Sequence, residues 1–253
     1  MTIGHIFLTL VIGTVAGFLN TLAGGGSMIT LPFLIFLGLP SVIANGTNRI
    51  AIMSQNIAAV ANFRRKGVFD WKLSIMLGIP AIFGAIVGSN LAINISEQIF
   101  NRILGIVMLI VLTITVWQPE KRFIHGEEKI NLTNRRKVAA IIVFFFIGMF
   151  GGFIQAGVGF IIIASLSLLT GMSLVKINSV KIFVVGIYMI FSLAVFIYNG
   201  EVDWVIGLTL AIGNAAGGIL GSNFAVAKGE KWIKIILAIV IVVMSIKILW
   251  SSI

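Results

Sequence analysis

The 253-residue sequence contains no cysteine, only two histidines, and only eight aspartates and glutamates. Without cysteine, the chain has no disulfide and no thiolate that would hold a metal or form a covalent intermediate. His5 and His125 leave few other ligands for a transition metal. The composition therefore argues against metal and redox chemistry, and we expect no cofactor.

Charge is also scarce, since charged residues make up 10% of the sequence and apolar residues 59%. Soluble domains have about 25% charged and about 45–50% apolar residues. A membrane-spanning helix needs about 20 mostly apolar residues, so the chain has room for roughly ten such segments. The composition predicts an all-α, multi-pass protein of the cell membrane, with the lipid bilayer as its surroundings. The net charge of +10 is read as a topology signal, and no nucleic-acid partner is expected.

The hydrophobic pattern divides the chain into two halves around one long polar stretch. Residues 1–118 form a first transmembrane repeat, 119–137 a cytoplasmic loop, and 138–253 a second repeat. The second segment of each half, at 27–39 and 159–172, reaches only about 20 Å at about 1.5 Å per residue, less than the roughly 30 Å hydrocarbon core. We predict a polytopic helical bundle of 8–10 spans with a short broken helix in each repeat. The apolar segments lie at about 3–22, 27–39, 41–63, 73–93, 99–118, 138–155, 159–172, 174–198, 204–226 and 232–250.

The two halves are copies of each other. A shift of 133 residues aligns Asn45 with Asn178 and Asp70-Trp71 with Asp203-Trp204. Over residues 23–117 the shift gives 27 identities in 95 ungapped positions, whereas this biased composition gives on the order of one in ten by chance. Internal duplication explains the match.

Basic residues indicate how the copies are oriented. The loop after the third segment carries Arg64, Arg65 and Lys66, whereas its counterpart at 199–203 contains no base. If each repeat crosses the membrane an odd number of times, 15 of the 18 lysines and arginines face the cytoplasm, as the positive-inside rule requires. We predict two inverted-topology repeats of about five segments each.

A glycine-rich interruption precedes the short segment of each repeat. The interruptions read Ala-Gly-Gly-Gly-Ser at 23–27 and Gln-Ala-Gly-Val-Gly at 155–159. Inverted repeats with such interruptions are typical of secondary transporters, whose substrate site lies near the midplane where broken helices meet. A helix N-terminus offers free N–H groups and about half a positive charge, which suits an anion. Close packing of helices is the alternative explanation of these glycines.

Charges inside the predicted spans are cationic only. Arg49 lies about a third of the way along the third segment, and Lys181 lies at nearly the same place in its copy, whereas every acidic residue falls in a loop or at a segment end. Intramembrane charge is costly, so its default explanation is functional. The alternative is that both side chains extend to lipid headgroups.

These features together define the candidate substrate-binding residues. We predict that Arg49 and Lys181 supply positive charge, and that the neighbouring polar side chains and the glycine-rich turns supply hydrogen-bond donors. The polar and glycine residues are Asn45, Thr47, Asn48, Asn178, Gly24, Gly25, Gly26, Ser27, Gln155, Gly157 and Gly159.

The first repeat also resembles a known family. Ala23-Gly24-Gly25-Gly26-Ser27, Pro32, Gly38-Leu39-Pro40, Ala44-Asn45-Gly46-Thr47-Asn48 and the recurring Gly-Ser-Asn are similar to the motifs of the sulfite exporter TauE/SafE family. The resemblance covers nearly the whole chain. It implies a bacterial or archaeal inner-membrane permease for small sulfur-containing anions such as sulfite, sulfonates or sulfoacetate. The second copy departs from the motif, because Ser179-Val180-Lys181 stands where the first has Gly46-Thr47-Asn48.

The leading interpretation is therefore a secondary transporter of a small anion that works by alternating access. An anion channel lined by the same cations, or a permease for another organic anion, is the alternative. An intramembrane enzyme is disfavoured, because no carboxylate, histidine or cysteine lies inside a predicted span to act as acid, base or nucleophile. The expected partner is a small anionic substrate, and the sequence leaves a homodimer open.

Overall fold

The computed structural model describes the backbone of residues 3–22, 24–117 and 133–251, and the side chains of residues 3–22, 24–107, 110 and 133–228. Within these ranges the chain forms nine helices and no strand, which confirms the all-α prediction. Most of the predicted loop 119–137 lies outside the described residues. The helices are α1 Ile3–Leu22, α2 Ser27–Phe36, α3 Ser41–Arg65, α4 Trp71–Ile93, α5 Glu97–Trp117, α6 Asn134–Phe153, α7 Val158–Thr170, α8 Leu174–Tyr198 and α9 Trp204–Ser251.

Five stretches of the described helices are long and apolar enough to cross a membrane. They are α1, α4, α6, α8 and residues Trp204–Lys228 of α9. The α3 helix has 25 residues but is not among them, because its polar residues lower its mean hydropathy. These residues are buried and include Asn45, Asn48, Arg49, Gln55 and Asn56. Both α3 and its copy α8 have more than half of their residues buried. A polar helix thus runs through the centre of the bundle and is shielded by apolar neighbours.

The second helix of each repeat is short. The α2 helix has 10 residues and α7 has 13, so at about 1.5 Å per residue they span roughly 15 and 20 Å. Neither length reaches across a hydrocarbon core of about 30 Å. The prediction of a short broken helix in each repeat is therefore confirmed.

One predicted boundary is wrong. The sequence pattern separates the last two segments at about residues 227–231, but the α9 helix continues without a break from Trp204 to Ser251. The intervening Ala-Lys-Gly-Glu-Lys contains only one glycine and no proline. Alanine, lysine and glutamate favour helix, so the loss of hydrophobicity there does not end the helix.

Glycines bring helices of the two repeats into close contact in two equivalent pairs. The α4 helix packs on α6, and the copy of α4, which is the first half of α9, packs on α1. A Cβ atom added to Gly88 would lie 1.9 Å from the carbonyl oxygen of Met149 on α6, and one added to Gly217 would lie 2.1 Å from that of Thr14 on α1. The glycines spaced by four residues in α4 and α9 therefore allow backbone-to-backbone packing.

Candidate functional site

Lys181 on α8 holds the C-terminal end of α1, in the other repeat. Its ammonium group donates hydrogen bonds to the carbonyl oxygens of Asn20 and Thr21, at 3.0 and 3.1 Å, and to the Oδ1 of Asn178 at 2.8 Å. The last carbonyls of a helix lack intrahelical partners and carry partial negative charge. Lys181 therefore neutralises the end of α1 just before the chain breaks into the first glycine-rich turn.

Arg49 on α3 holds the end of α6 in the same way. Its Nη1 and Nη2 atoms donate to the carbonyl oxygens of Gly151 and Gly152, at 3.2 and 2.6 Å, and Nη1 also donates to the Oγ of Ser192 at 2.6 Å. The guanidinium stacks on the ring of Phe196, 4.4 Å from its centroid. Each cation thus binds the first helix of the opposite repeat at its broken end.

Two equivalent asparagines complete this arrangement. The side-chain amide of Asn45 donates to the carbonyl oxygen of Phe153, the last residue of α6, at 2.8 Å. That of Asn178 donates to the carbonyl oxygen of Leu22, the last residue of α1, at 3.0 Å. The structure therefore brings the predicted residues Asn45, Arg49, Asn178 and Lys181 to the two helix breaks, with backbone carbonyls as their partners.

Neither cation has a carboxylate partner within the described side chains. Arg49 is 0% exposed and Lys181 is 2% exposed, and none of the described aspartates or glutamates is buried. Both side chains end inside the bundle, which argues against the alternative that they extend to lipid headgroups. The 15 basic residues expected to face the cytoplasm include Lys181, and its burial within α8 removes it from that count.

The two glycine-rich turns cross at the centre of the bundle. A Cβ atom added to Gly24 would lie 2.4 Å from the Cα of Gly159, and one added to Gly26 would lie 2.2 Å from the carbonyl oxygen of Ala16. Gly24 and Gly157 also have φ angles of 85° and 81°, which side-chain-bearing residues rarely adopt. At Gly24, Gly26 and Gly159, close packing therefore accounts for the absence of side chains. Gly25 lies between Gly24 and Gly26 in the first turn.

Two buried polar atoms without a protein partner lie at the first turn of α2, one on α2 itself and one on α3. The hydroxyl of Thr30 donates to the Oδ1 of Asn48 at 2.7 Å, which places Asn48 beside the start of α2. The Oγ of Ser27 and the Nδ2 of Asn48 are buried without a hydrogen-bond partner. This turn therefore combines the positive end of a helix with two unpaired polar atoms.

The buried unpaired atoms are all able to donate hydrogen bonds. Within the described part of the chain they are Ser27 Oγ, Asn48 Nδ2, Arg49 Nε and Asn56 Nδ2. Buried polar atoms normally have a partner, since an unpaired one costs about 1–3 kcal/mol. An oxyanion carries acceptors only, so one bound at the start of α2 would be complementary to the donors of Ser27 and Asn48, whereas Asn56 lies eight residues, about 12 Å, farther along α3.

Two further predicted residues, Thr47 and Gln155, use their side chains to bind neighbouring helices or loops. The Oγ1 of Thr47 accepts a hydrogen bond from the backbone N–H of Asp203 at 2.8 Å, just before α9 begins. The Oε1 of Gln155 accepts one from the hydroxyl of Tyr188 at 2.9 Å. Both side chains thus hold neighbouring elements together, and neither is left with an unpaired buried atom.

Sequence reasoning missed three polar residues at the helix breaks. Asn20 donates from its side chain to the Oε1 of Gln55 at 2.9 Å, Thr30 binds Asn48, and Ser192 binds Arg49. Each is a polar residue in a largely apolar helix, which is the signal that would have identified it. Its partner, however, comes from another helix and is not visible in the sequence.

Comparison with known proteins agrees with this architecture. The sequence model of the sulfite exporter TauE/SafE family matches residues 9–248. The probable membrane transporter protein ORF9 of Sinorhizobium sp is 26% identical, over 93% of this chain and 88% of that protein. The probable membrane transporter protein of Haemophilus influenzae is 27% identical, over 95% and 93%, and YfcA of Escherichia coli, also called a probable membrane transporter protein, is 28% identical, over 95% and 88%.

No solved structure matches the chain. The family match covers nearly the whole sequence, and the helices described above are those of a multi-pass membrane protein. The chain therefore belongs to the sulfite exporter TauE/SafE family of membrane transporters.

Proposed function

We propose that this protein is a secondary transporter of a small sulfur-containing anion, such as sulfite or sulfoacetate, and that it works by alternating access. The observation that carries the proposal is the set of buried hydrogen-bond donors without protein acceptors on α2 and α3. An oxyanion accepts several hydrogen bonds and donates none, so it is complementary to such a set.

The charge distribution supports an anion rather than a cation. Arg49 and Lys181 are buried, and no described acidic side chain is. Cation transporters and proton relays usually have a carboxylate inside the membrane. An anion held at the start of α2 would face the positive end of the helix, in addition to the side chains of Ser27 and Asn48.

The first repeat supplies most of the proposed contacts. At the positions equivalent to Ser27 and Asn48, the second repeat has Phe160 and Lys181. Phenylalanine cannot donate a hydrogen bond to an oxyanion, and the ammonium group of Lys181 is already bound to the end of α1. The substrate therefore binds asymmetrically, mainly to α2 and α3, although the helices around it are duplicated.

The cross-repeat hydrogen bonds are compatible with alternating access. Each broken helix end is bound by a cation of the other repeat through backbone carbonyls, without an ion pair. Rocking of one repeat against the other would change these bonds while the substrate stays near the crossing of the broken helices. A channel would instead provide a continuous pore.

Counterflow in proteoliposomes tests the proposal. Labelled sulfite should accumulate against unlabelled sulfite, with saturation, and sulfoacetate and thiosulfate should compete. Saturable uptake of a metal cation or an amine instead of these anions would contradict the charge argument. Flux that does not saturate and far exceeds carrier rates would favour the channel.

Asn48→Ala tests the site itself. Loss of a hydrogen bond to a charged group costs about 1.5–3 kcal/mol, so the KM for sulfite should rise about tenfold or more. The matched control is Asn90→Ala, because Asn90 is exposed on α4 and binds only the carbonyl oxygen of Ile86 in its own helix. Equal KM values for the two variants would remove Asn48 from the substrate site.

A further inference from the structure

A groove between α3, α4 and α8 lies outside the site described above. Its volume is about 340 Å³, and its walls are mainly apolar side chains. Arg64 and Trp71 lie at one end, and Asn56 and Gly186 line it farther along α3 and α8. Eight residues separate Asn56 from Arg64 on α3, so the groove extends about 12 Å along that helix.

The outer end of the groove is positively charged. Arg64 is exposed at the last turn of α3, and its guanidinium lies over the ring of Trp71, 5.4 Å from the centroid. The following loop belongs to the side predicted to be cytoplasmic from the distribution of basic residues. The positive charge of Arg64 at this end of the groove would raise the local concentration of anions from that side of the membrane.

The inner end carries an unpaired donor. Asn56 lines the groove, its side chain is 1% exposed, and its Nδ2 atom has no hydrogen-bond partner. A Cβ atom at Gly186 would lie only 3.3 Å from the Cβ of Asn56, so the glycine lets α8 pass close to Asn56. Asn56 is followed inward along α3 by Arg49 and Asn48, about two turns away.

We propose that this groove is the cytoplasmic vestibule of the transport pathway, in which Arg64 attracts the anion and Asn56 donates its first hydrogen bond inside the protein. The proposal rests on the function proposed above. The order of donors along α3 carries it, because Arg64, Asn56 and Asn48 lie at successive depths of one helix. The walls between them are apolar, so the anion can pass only with its hydration water.

Cysteine labelling tests whether the groove admits aqueous anions. The chain has no native cysteine, so Val60→Cys or Ala61→Cys introduces a single thiol in the groove wall. In inside-out vesicles, 2-sulfonatoethyl methanethiosulfonate should react at least threefold faster than its trimethylammonium analogue, with each rate divided by that of a free thiol. Sulfoacetate, which does not attack the reagent, should slow the reaction. Phe83→Cys on the exposed face of α4 is the control, and it should react with neither reagent.

Transport kinetics give a second, independent test. Arg64→Gln should raise the KM for the anion at least threefold at low salt and less at high salt, with kcat unchanged. Arg65→Gln is the matched control, since Arg65 is equally exposed but does not line the groove, and its KM should stay within twofold. Asn56→Leu should raise KM at least fivefold.

The outcomes separate this proposal from the proposed function. If the wild-type protein transports sulfite but the groove cysteines react with no charged reagent, lipid fills the groove and the vestibule is wrong. If they react without preference for the anion, or if Arg64→Gln and Arg65→Gln behave alike, it is also wrong. If the wild-type protein transports no anion at all, the proposed function fails first.

Discussion

The ammonium nitrogen of Lys181 lies 3.0 Å from the carbonyl oxygen of Asn20, in the other repeat and at the end of α1. On the other side of the duplication, Arg49 binds the carbonyl oxygen of Gly152 at the end of α6, at 2.6 Å. Each cation therefore binds a helix end in the repeat to which it does not belong. Each stabilises a helix end that would otherwise leave carbonyl groups unpaired in a low-dielectric interior.

We expect Lys181→Met to destabilise the protein strongly. The substitution removes the donor to the carbonyl oxygen of Thr21 and to the Oδ1 of Asn178, and each buried unpaired group costs about 1–3 kcal/mol. The melting temperature of the detergent-solubilised protein should fall, whereas that of Lys66→Met, at an exposed position, should not change. Equal melting temperatures would show that water replaces the lysine at the end of α1.

The variants Arg49→Lys and Arg49→Ala should distinguish the contribution of the positive charge at residue 49 from that of the planar guanidinium geometry. The guanidinium binds two successive carbonyl groups and Ser192 through two nitrogens, and an ammonium group cannot reproduce this planar fork. Arg49→Lys should therefore fold with reduced stability and weaker sulfite binding. Arg49→Ala should lower the free energy of unfolding by about 1–3 kcal/mol for each carbonyl group that it leaves unpaired at the end of α6.

Equilibrium binding of sulfite to monodisperse purified protein measures the Arg49 effect on affinity, and thermal unfolding measures its effect on folding. If a well-folded Arg49→Ala variant binds sulfite like the wild-type protein, Arg49 acts only on the end of α6. The site would then depend on Asn48, Ser27 and the start of α2.

The inverted topology predicts opposite labelling of two equivalent loops. Asn199→Cys should react with a membrane-impermeant maleimide added outside intact cells. Lys66→Cys, at the equivalent position in the first repeat, should react only in inside-out vesicles. Both residues are exposed at the ends of α8 and α3. Labelling of both from the same face would exclude inversion.

Replacing Gly88 by alanine should weaken the contact between α4 and α6. The new Cβ would lie 1.9 Å from the carbonyl oxygen of Met149, so the helices must separate, at a cost of about 1–3 kcal/mol. Gly105→Ala on α5 is the matched control, because no atom lies within 4 Å of its added Cβ. A drop in thermal stability in the Gly88 variant alone is the expected result.

Several features could be predicted from the sequence because they depend on local composition. Apolar runs long enough to cross a bilayer identified the spans, and the glycine-rich turns at 24–26 and 157–159 identified the two broken helices. The same reasoning failed at residues 227–231, where a decrease in hydrophobicity was taken for a loop. Helix propensity there is high, and α9 continues through it.

The candidate site was predicted only in part. Intramembrane cost made Arg49, Lys181 and the two equivalent asparagines stand out in the sequence. The orientation of these side chains could not be predicted, because their partners are carbonyl groups at the ends of helices in the other repeat. Those carbonyls belong to Asn20, Thr21, Gly151 and Gly152, which lie more than 100 residues away in the chain.

The sequence by itself determined that this chain is a duplicated, all-α membrane protein with cations and no acids inside its spans, since these properties follow from composition and spacing. Only the tertiary structure decided which polar atoms find partners. The sequence gives no sign that the asparagines of α3 differ in their partners. The side chain of Asn45 nevertheless donates to a carbonyl at a helix end, whereas Asn48 and Asn56 are left with unpaired donors. That difference arises because hydrogen bonding in a buried core depends on which helix ends meet each side chain, and only the packing of the two repeats brings those ends together.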